Sequence, residues 1–161
     1  MSFPAPFEQY RGEVLPEWID HNGHMNLAYY VVLFDQATDL LFDALGIGSA
    51  YRSATGNGTF AVEAHTLWER ELLVAERVRV ASWIIGADDK RLHVAHEMRR
   101  LDRAERVAAQ ELMFVHVDLK ARRVSPYPPD LKARVEAAEE AHRAVPRPDW
   151  IGRRLGLPHS R

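Results

Sequence analysis

A chain of 161 residues with 47% hydrophobic and 27% charged side chains has the length and balance of one soluble domain around one core. Its formal charge of −2 supplies no basic face for nucleic acid, and nothing in it approaches the run of about 18 apolar residues that a membrane span needs. The lack of cysteine excludes disulfides, a thiolate nucleophile and cysteine-ligated zinc; with no signal-peptide pattern in residues 1–15, the expected location is the cytoplasm.

The first ten residues hold Pro4 and Pro6 and read as loosely organised. Tyr10–Leu15 reads as a short strand stopped by Pro16, and Trp18–Asn26 as a polar, glycine-containing segment with neither regular period. Leu27–Leu45 is predicted as a helix, with Asn26 where an N-cap belongs and Gly46 where a glycine ends the last turn. Leu27, Tyr30, Val31, Phe34, Thr38, Leu41 and Leu45 make one apolar face, and Tyr29, Val32, Leu33, Leu40 and Phe42 cover much of the rest. Only Asp35, Gln36, Asp39 and Asp43 form a polar stripe, so the helix is expected to be wrapped on most sides.

Residues 46–59 read as a loop. The period then changes to two. Thr59–Arg70 alternates through Phe60, Val62, Ala64, Thr66 and Trp68, and Arg77–Gly86 through Val78, Val80, Ser82 and Ile84. Arg91–Leu101 places Leu92, Val94, His96 and Met98 on one face; Val107–Leu119 does the same for Val107, Ala109, Met113, Val115, Val117 and Leu119. The short polar links 87–90 and 102–105 fit antiparallel hairpins. After Ser125–Pro129, Asp130–Ala144 is predicted as a surface helix with Leu131, Val135 and Ala138 inward. Residues 1–145 thus form one domain and 146–161 a tail with no assigned structure. The class is α+β: a curved antiparallel sheet wrapped around one long central helix, plus a C-terminal helix. Exposed sheet edges and an uncovered helix end point to a homodimer or homotetramer.

The chemistry concentrates in Asp20-His21-Asn22-Gly23-His24-Met25-Asn26. A helix N-terminus offers free N–H donors and a partial positive charge, which can hold the oxyanion formed when a carbonyl carbon is attacked. Gly23 permits close approach to a ligand, and the Asp20 carboxylate can act as nucleophile or as base for a water. Capping alone explains Asn26, but not the neighbouring Asn22, Gly23 and His24. His21 and His24 lack a third and fourth ligand, so no metal site is expected.

Asp20-x-Asn22-Gly23-His24-Met25-Asn26-x-x-x-Tyr30, running into a long apolar helix, resembles the signature of hot-dog-fold thioesterases of the 4-hydroxybenzoyl-CoA thioesterase-like superfamily. Trp68-x-Arg70-Glu71 and Ala75–Val80 resemble its second and third strands. Gly86–His93 and His116–Leu119 resemble the branch of betainyl-CoA thioesterases of carnitine metabolism. The resemblance spans about residues 8–130, with two departures: Ala75-Glu76 stands for a Gly-Asp pair before the third strand, and Trp68 for a tyrosine.

The resemblance implies a hot-dog fold and a hydrolase that splits a short or medium acyl-CoA, betainyl-CoA among the candidates, to free acid and coenzyme A. Coenzyme A enters as part of the substrate, and no separate cofactor is implied. Asp20 would be nucleophile or general base; Asn22 and His24 would orient it or the thioester; backbone N–H groups from Gly23 to Asn26 would form the oxyanion hole. Tyr30 and Trp68 would line the substrate pocket, and Glu63 and His65 would approach from a partner protomer. A quaternary ammonium acyl group would need aromatic or acidic walls. The alternatives are a hot-dog hydratase or dehydratase and a non-catalytic acyl-thioester-binding module.

Overall fold

The computed structural model describes residues 2–157; the start of the predicted domain at Met1 and the last four residues of the predicted tail lie outside the described residues. Its centre is α1 (Leu27–Leu45). The Asn26 side chain accepts from the Ala28 N–H at 3.0 Å, and Gly46, at φ 77°, turns its N–H back to the Asp43 carbonyl. Both ends of the helix therefore lie where the capping residues put them.

The face of α1 that meets the sheet carries Tyr30, Leu33, Phe34, Ala37, Thr38, Leu41 and Leu45, spaced three and four apart. Phe34 and Leu41 are fully buried. Each contributes on the order of 2 kcal/mol by transfer of apolar area alone.

Five main strands curl around this helix: β1 (Phe7–Glu13), β2 (Asn57–Trp68), β3 (Arg77–Ala87), β4 (Arg91–Arg100) and β5 (Arg106–Asp118). They run antiparallel in the order β1-β3-β4-β5-β2, and the short β6 (Arg123–Val124) pairs with the end of β5. A final helix, α3 (Pro129–Arg143), buries Leu131, Val135 and Ala138 against Ile84, Leu92 and α1. One antiparallel sheet curled around one long helix is the hot-dog arrangement implied by the motif.

Five expectations change. The predicted loop 46–59 contains a short helix, α2 (Ser49–Thr55), bracketed by Gly48 and by Gly56 at φ 72°. Seven residues are too few to show a period, and the helix is held from outside, by the Tyr51 hydroxyl against His116 Nε2 at 2.9 Å. The first strand begins at Phe7, ahead of the predicted Tyr10.

In β2, a bulge at Val62 breaks the alternation. Ala64, Thr66 and Trp68 face inward, but Phe60 is carried to the other side, opposite Val115. In β5, the face of Ala109, Met113, Val115 and Val117 is the outer one; Ala108, Gln110, Phe114 and His116 are buried on the inner face. Both faces of β5 carry apolar residues, so alternation alone does not say which is inside.

The expected wrapping of α1 is incomplete within one chain. Leu27 is 60% exposed, and Val31, Val32 and Leu40 are exposed as well. Leu27 lies beside Trp68 at the end of β2, whose outer edge has no strand beside it among the described residues.

Candidate active site

The segment before α1 folds back on itself. The Asp20 N–H donates to the His24 carbonyl (3.1 Å), the Gly23 N–H to the Asp20 carbonyl (3.0 Å), and Ile19 bridges Met25. Gly23 has φ 82°, a left-handed conformation that side chains with a Cβ adopt only with strain. The loop is then pinned to its surroundings: Met25 N–H donates to the Leu72 carbonyl at 2.7 Å and Asn26 N–H to the Trp18 carbonyl at 2.9 Å. The Trp18 ring stacks on Tyr29 at 5.1 Å, bracing the loop against the helix.

This geometry sets the Asp20 carboxylate at the first turn of α1. Oδ1 accepts from the Asn22 N–H at 2.8 Å, an Asx-type turn, while the Asn26 amide approaches Oδ2 at 3.5 Å. Asn22 therefore orients Asp20 through its backbone. His24 points elsewhere, with Nε2 3.8 Å from the Glu71 carboxylate.

The N–H groups of the loop are largely occupied. Those of Gly23, Met25 and Asn26 donate to protein carbonyls, and that of Ala28 to the Asn26 cap. Among the described residues, the N–H groups of His24 and Leu27 meet no acceptor. Of the Gly23–Asn26 N–H groups expected to form an oxyanion hole, that of His24 is thus left without an acceptor among the described residues, and so is that of Leu27 at the helix end, where the dipole favours negative charge.

A cavity of about 380 Å³ opens on this carboxylate, with Asp20, Asn22 and His24 on one side and Tyr30 and Trp68 on the other. Tyr30 is 3% exposed and donates its hydroxyl to the Arg70 carbonyl at 3.0 Å; burial pushes its phenol up to about 12, so it stays protonated. Trp68 donates Nε1 to the Leu27 carbonyl at 3.1 Å, which leaves its half-exposed indole as a wall of the cavity. The structure thus brings Asp20, Asn22, His24, Tyr30 and Trp68 to one cavity. Gly23 and Asn26 act as the turn and the cap of the same loop.

Glu63 and His65 are not part of this group. Their register opposite Met113 and Glu111 turns them to the outer face, where they line a separate depression with His93, Glu111 and Arg153. Within one chain they lie across the sheet from the cavity and do not reach Asp20.

Sequence reasoning did not place the run after Trp68 at the site, yet Glu69, Arg70 and Glu71 line the cavity. The available signal was their adjacency to Trp68 in the strand motif. Glu69 is held by both arms of Arg106 at 2.6 and 2.8 Å, and that guanidinium keeps its carboxyl below the ordinary carboxylate range. Arg70 turns to Glu105 at 3.2 Å, and the exposed Glu71 lines the cavity with its carboxylate 3.8 Å from His24 Nε2. Among the described residues no group of three or more His, Cys, Asp or Glu is arranged to hold a metal, and no helix is long and apolar enough to cross a membrane.

Comparison with known proteins agrees with this geometry. Residues 14–135 match the model of the thioesterase-like superfamily. The chain is 41% identical over 149 residues to a betainyl-CoA thioesterase of Pseudomonas aeruginosa, covering 92% of this chain and 94% of that one. It is 35% identical over 147 residues to an L-carnitine dehydrogenase/betainyl-CoA thioesterase of Agrobacterium fabrum, covering 91% of this chain and 30% of that longer protein. A hypothetical protein of Staphylococcus aureus solved in complex with CoA superposes with a TM-score of 0.86 at 22% identity, covering 98% of this chain and 100% of that one, which supports the fold. Motif, fold and relatives converge: the chain belongs to the thioesterase-like superfamily and is a thioester hydrolase of the hot-dog fold.

Proposed function

We propose that the protein hydrolyses a short acyl-CoA whose acyl group carries a quaternary ammonium, of the betainyl-CoA kind, with Asp20 as the reacting carboxylate. The observation that carries this reading is the makeup of one cavity: the Asp20 carboxylate at a helix N-terminus, facing an indole wall and further carboxylates. A permanent cation is attracted to the face of Trp68 and to the charge of Glu71, while Glu69 is already neutralised by Arg106. A neutral acyl chain would gain apolar contact from that lining but no attraction from the charge of Glu71. The relatives named for betainyl-CoA support the same substrate class.

Two routes use the same atoms. Asp20 attacks the thioester carbon, the C–S bond breaks, coenzyme A leaves as thiolate, and water cleaves the resulting mixed anhydride. Alternatively, Asp20 takes a proton from a water whose oxygen attacks the same carbon. In both, the N–H groups of His24 and Leu27 receive the developing oxyanion, and the products are the free acid and coenzyme A.

The protein acts as a homodimer or a larger homo-oligomer in the cytoplasm, without bound metal or cofactor. Support for the oligomer comes from the open edge of β2 and the exposed Leu27, Val31, Phe60 and Val62 beside it. A second copy on this face would wrap the rest of α1 and close one side of the cavity at Trp68. Light scattering of the purified chain should give at least twice the monomer mass.

The test of the chemistry is thiol release from a panel of acyl-CoAs, betainyl-CoA included, by wild type and Asp20→Asn. Betainyl-CoA should be turned over faster than a neutral acyl-CoA of the same length, and the variant should lose about a hundredfold or more in rate. Conversion of the acyl group without thiol release would instead mark a hydratase. Binding without turnover in either form would mark a binding module.

A further inference from the structure

The segment after α3 does not trail free. Trp150 is 6% exposed on the outer face of the sheet, packed against Ala95 and Ala109. Its Nε1–H donates to Glu97 Oε1 at 2.8 Å. Arg106 donates to that same oxygen at 2.7 Å, and its guanidinium lies 5.9 Å from the centre of the Trp150 ring. With its other two nitrogens, Nε and Nη2, Arg106 clasps Glu69 in a two-pronged pair. Glu69 directly follows Trp68, where β2 leaves the sheet, and both line the cavity on Asp20.

We propose that Trp150 is a positioning residue for the substrate cavity, acting across the sheet through Arg106 on Glu69 and the Trp68 wall. The proposal rests on the acyl-thioester reading of that cavity. A planar guanidinium reaches two carboxylates only from one orientation, and each contact of this network depends on the next. Glu97 and Arg106 sit at side-chain exposures of 6% and 23%, so water competes little for their bonds while the indole covers them. Removing the indole admits water to both, loosens the clasp on Glu69 and restores its negative charge to the cavity wall. The N–H groups of Glu69 and Arg70 both donate to the Val107 carbonyl at 2.9 and 3.0 Å, so the backbone of this exit is anchored and the side chains are what move.

The effect belongs to substrate binding, because nothing in the relay touches Asp20. The experiment compares Trp150→Ala, Trp150→Phe, Arg106→Gln and the double variant Trp150→Ala/Arg106→Gln in the full chain. It reads KM and kcat for the best acyl-CoA, and the calorimetric Kd for a thioether analogue that cannot be hydrolysed. Trp150→Ala should change KM and Kd by about fivefold with kcat within about twofold, a split that a loss of folded protein does not produce. Trp150→Phe, which fills the site but lacks the donor, should fall between wild type and the alanine variant. In the Arg106→Gln background, Trp150→Ala should add nothing.

KM and Kd unchanged while the thermal midpoint falls, or additive effects in the double variant, overturn the proposal. A wild type that binds the analogue but releases no thiol sinks the hydrolase reading, while the Kd comparison still decides the role of Trp150. A wild type that does not bind the analogue overturns both.

Discussion

The two faces of the sheet solve the problem of buried polarity in opposite ways. On the inner face, under α1, the cluster at the helix centre is neutral. His96 is fully buried, with Nε2 3.0 Å from Thr38 Oγ1 and Nδ1 2.8 Å from Ser82 Oγ, and Phe34 is stacked on its ring. Thr38 spends its only proton on the Phe34 carbonyl at 2.9 Å, so its oxygen must accept from Nε2–H, and Nδ1 must accept from the Ser82 hydroxyl. The proton count closes with one tautomer of a neutral imidazole. On the outer face the cluster is ionic: Glu97 is met by Arg99 at 2.6 Å, by Arg106 at 2.7 Å and by Trp150 at 2.8 Å. Sealed beneath a nineteen-residue helix, the His96 cluster is polar with every proton taken. A face covered by a short chain segment can keep charges, provided they are paired.

The comparison can be broken at its strongest point first. Phe34→Ala removes the ring that seals the inner cluster and should cost about 3–5 kcal/mol in urea unfolding, measured against wild type at neutral pH. Glu97→Gln on the outer face should cost less, about 1–3 kcal/mol, because Arg106 keeps Glu69 and Arg99 can turn to water. Should Glu97→Gln prove the costlier change, the outer face and not the helix side would hold the fold together.

The faces should also fail in different pH windows. Burial pulls His96 down from 6.5 to about 3, and it lowers His142 as well. A depressed folded-state value means that the unfolded chain binds the proton more readily. This stability is therefore complete above 6.5 and is lost as pH falls toward 3, at up to about 1.4 kcal/mol per pH unit for one such group. Glu69 and Glu97 are also held low, with Arg106 first among the causes for Glu69 and among those that outweigh burial for Glu97. Their contribution is complete above 4.5 and is lost only below it. Denaturation midpoints between pH 7 and 5 should thus fall in wild type and fall less in His96→Asn, whereas Glu97→Gln should follow the wild-type slope in that range.

The smallest expected change lies outside both faces. Ala75, which stands where a glycine was expected from the strand motif, takes φ 64°, and Glu76 caps the Leu73 N–H at 2.8 Å in the role of the expected aspartate. The turn keeps its geometry at the cost of strain on one alanine. Ala75→Gly should raise stability by about 0.5–1 kcal/mol, read as a higher thermal midpoint with unchanged thiol release.

Much of this molecule was legible before any coordinates. The ends of α1 follow from Asn26 and Gly46, since a cap and a left-handed glycine act within one turn of chain. The order β3-β4-β5 follows from the short polar links 87–90 and 102–105, whereas β2, expected beside β3, pairs with β5 across the sheet; the segment around Asp20 follows from seven consecutive residues whose types make sense only beside a helix end. Such features are local, so sequence neighbours are also spatial neighbours. What tertiary structure alone decided depends on chain segments far apart. That Phe60 lies on the face of β2 opposite to Ala64, Thr66 and Trp68 rests on a bulge at Val62, defined by its pairing with β5 and invisible to a count of alternate residues. That Glu69 walls the cavity and that Trp150 stands behind it rests on Arg106, which lies 37 positions from Glu69 in the chain. A period of two records that a strand has two faces, but only the packed sheet assigns each face to the helix or to the segment after α3.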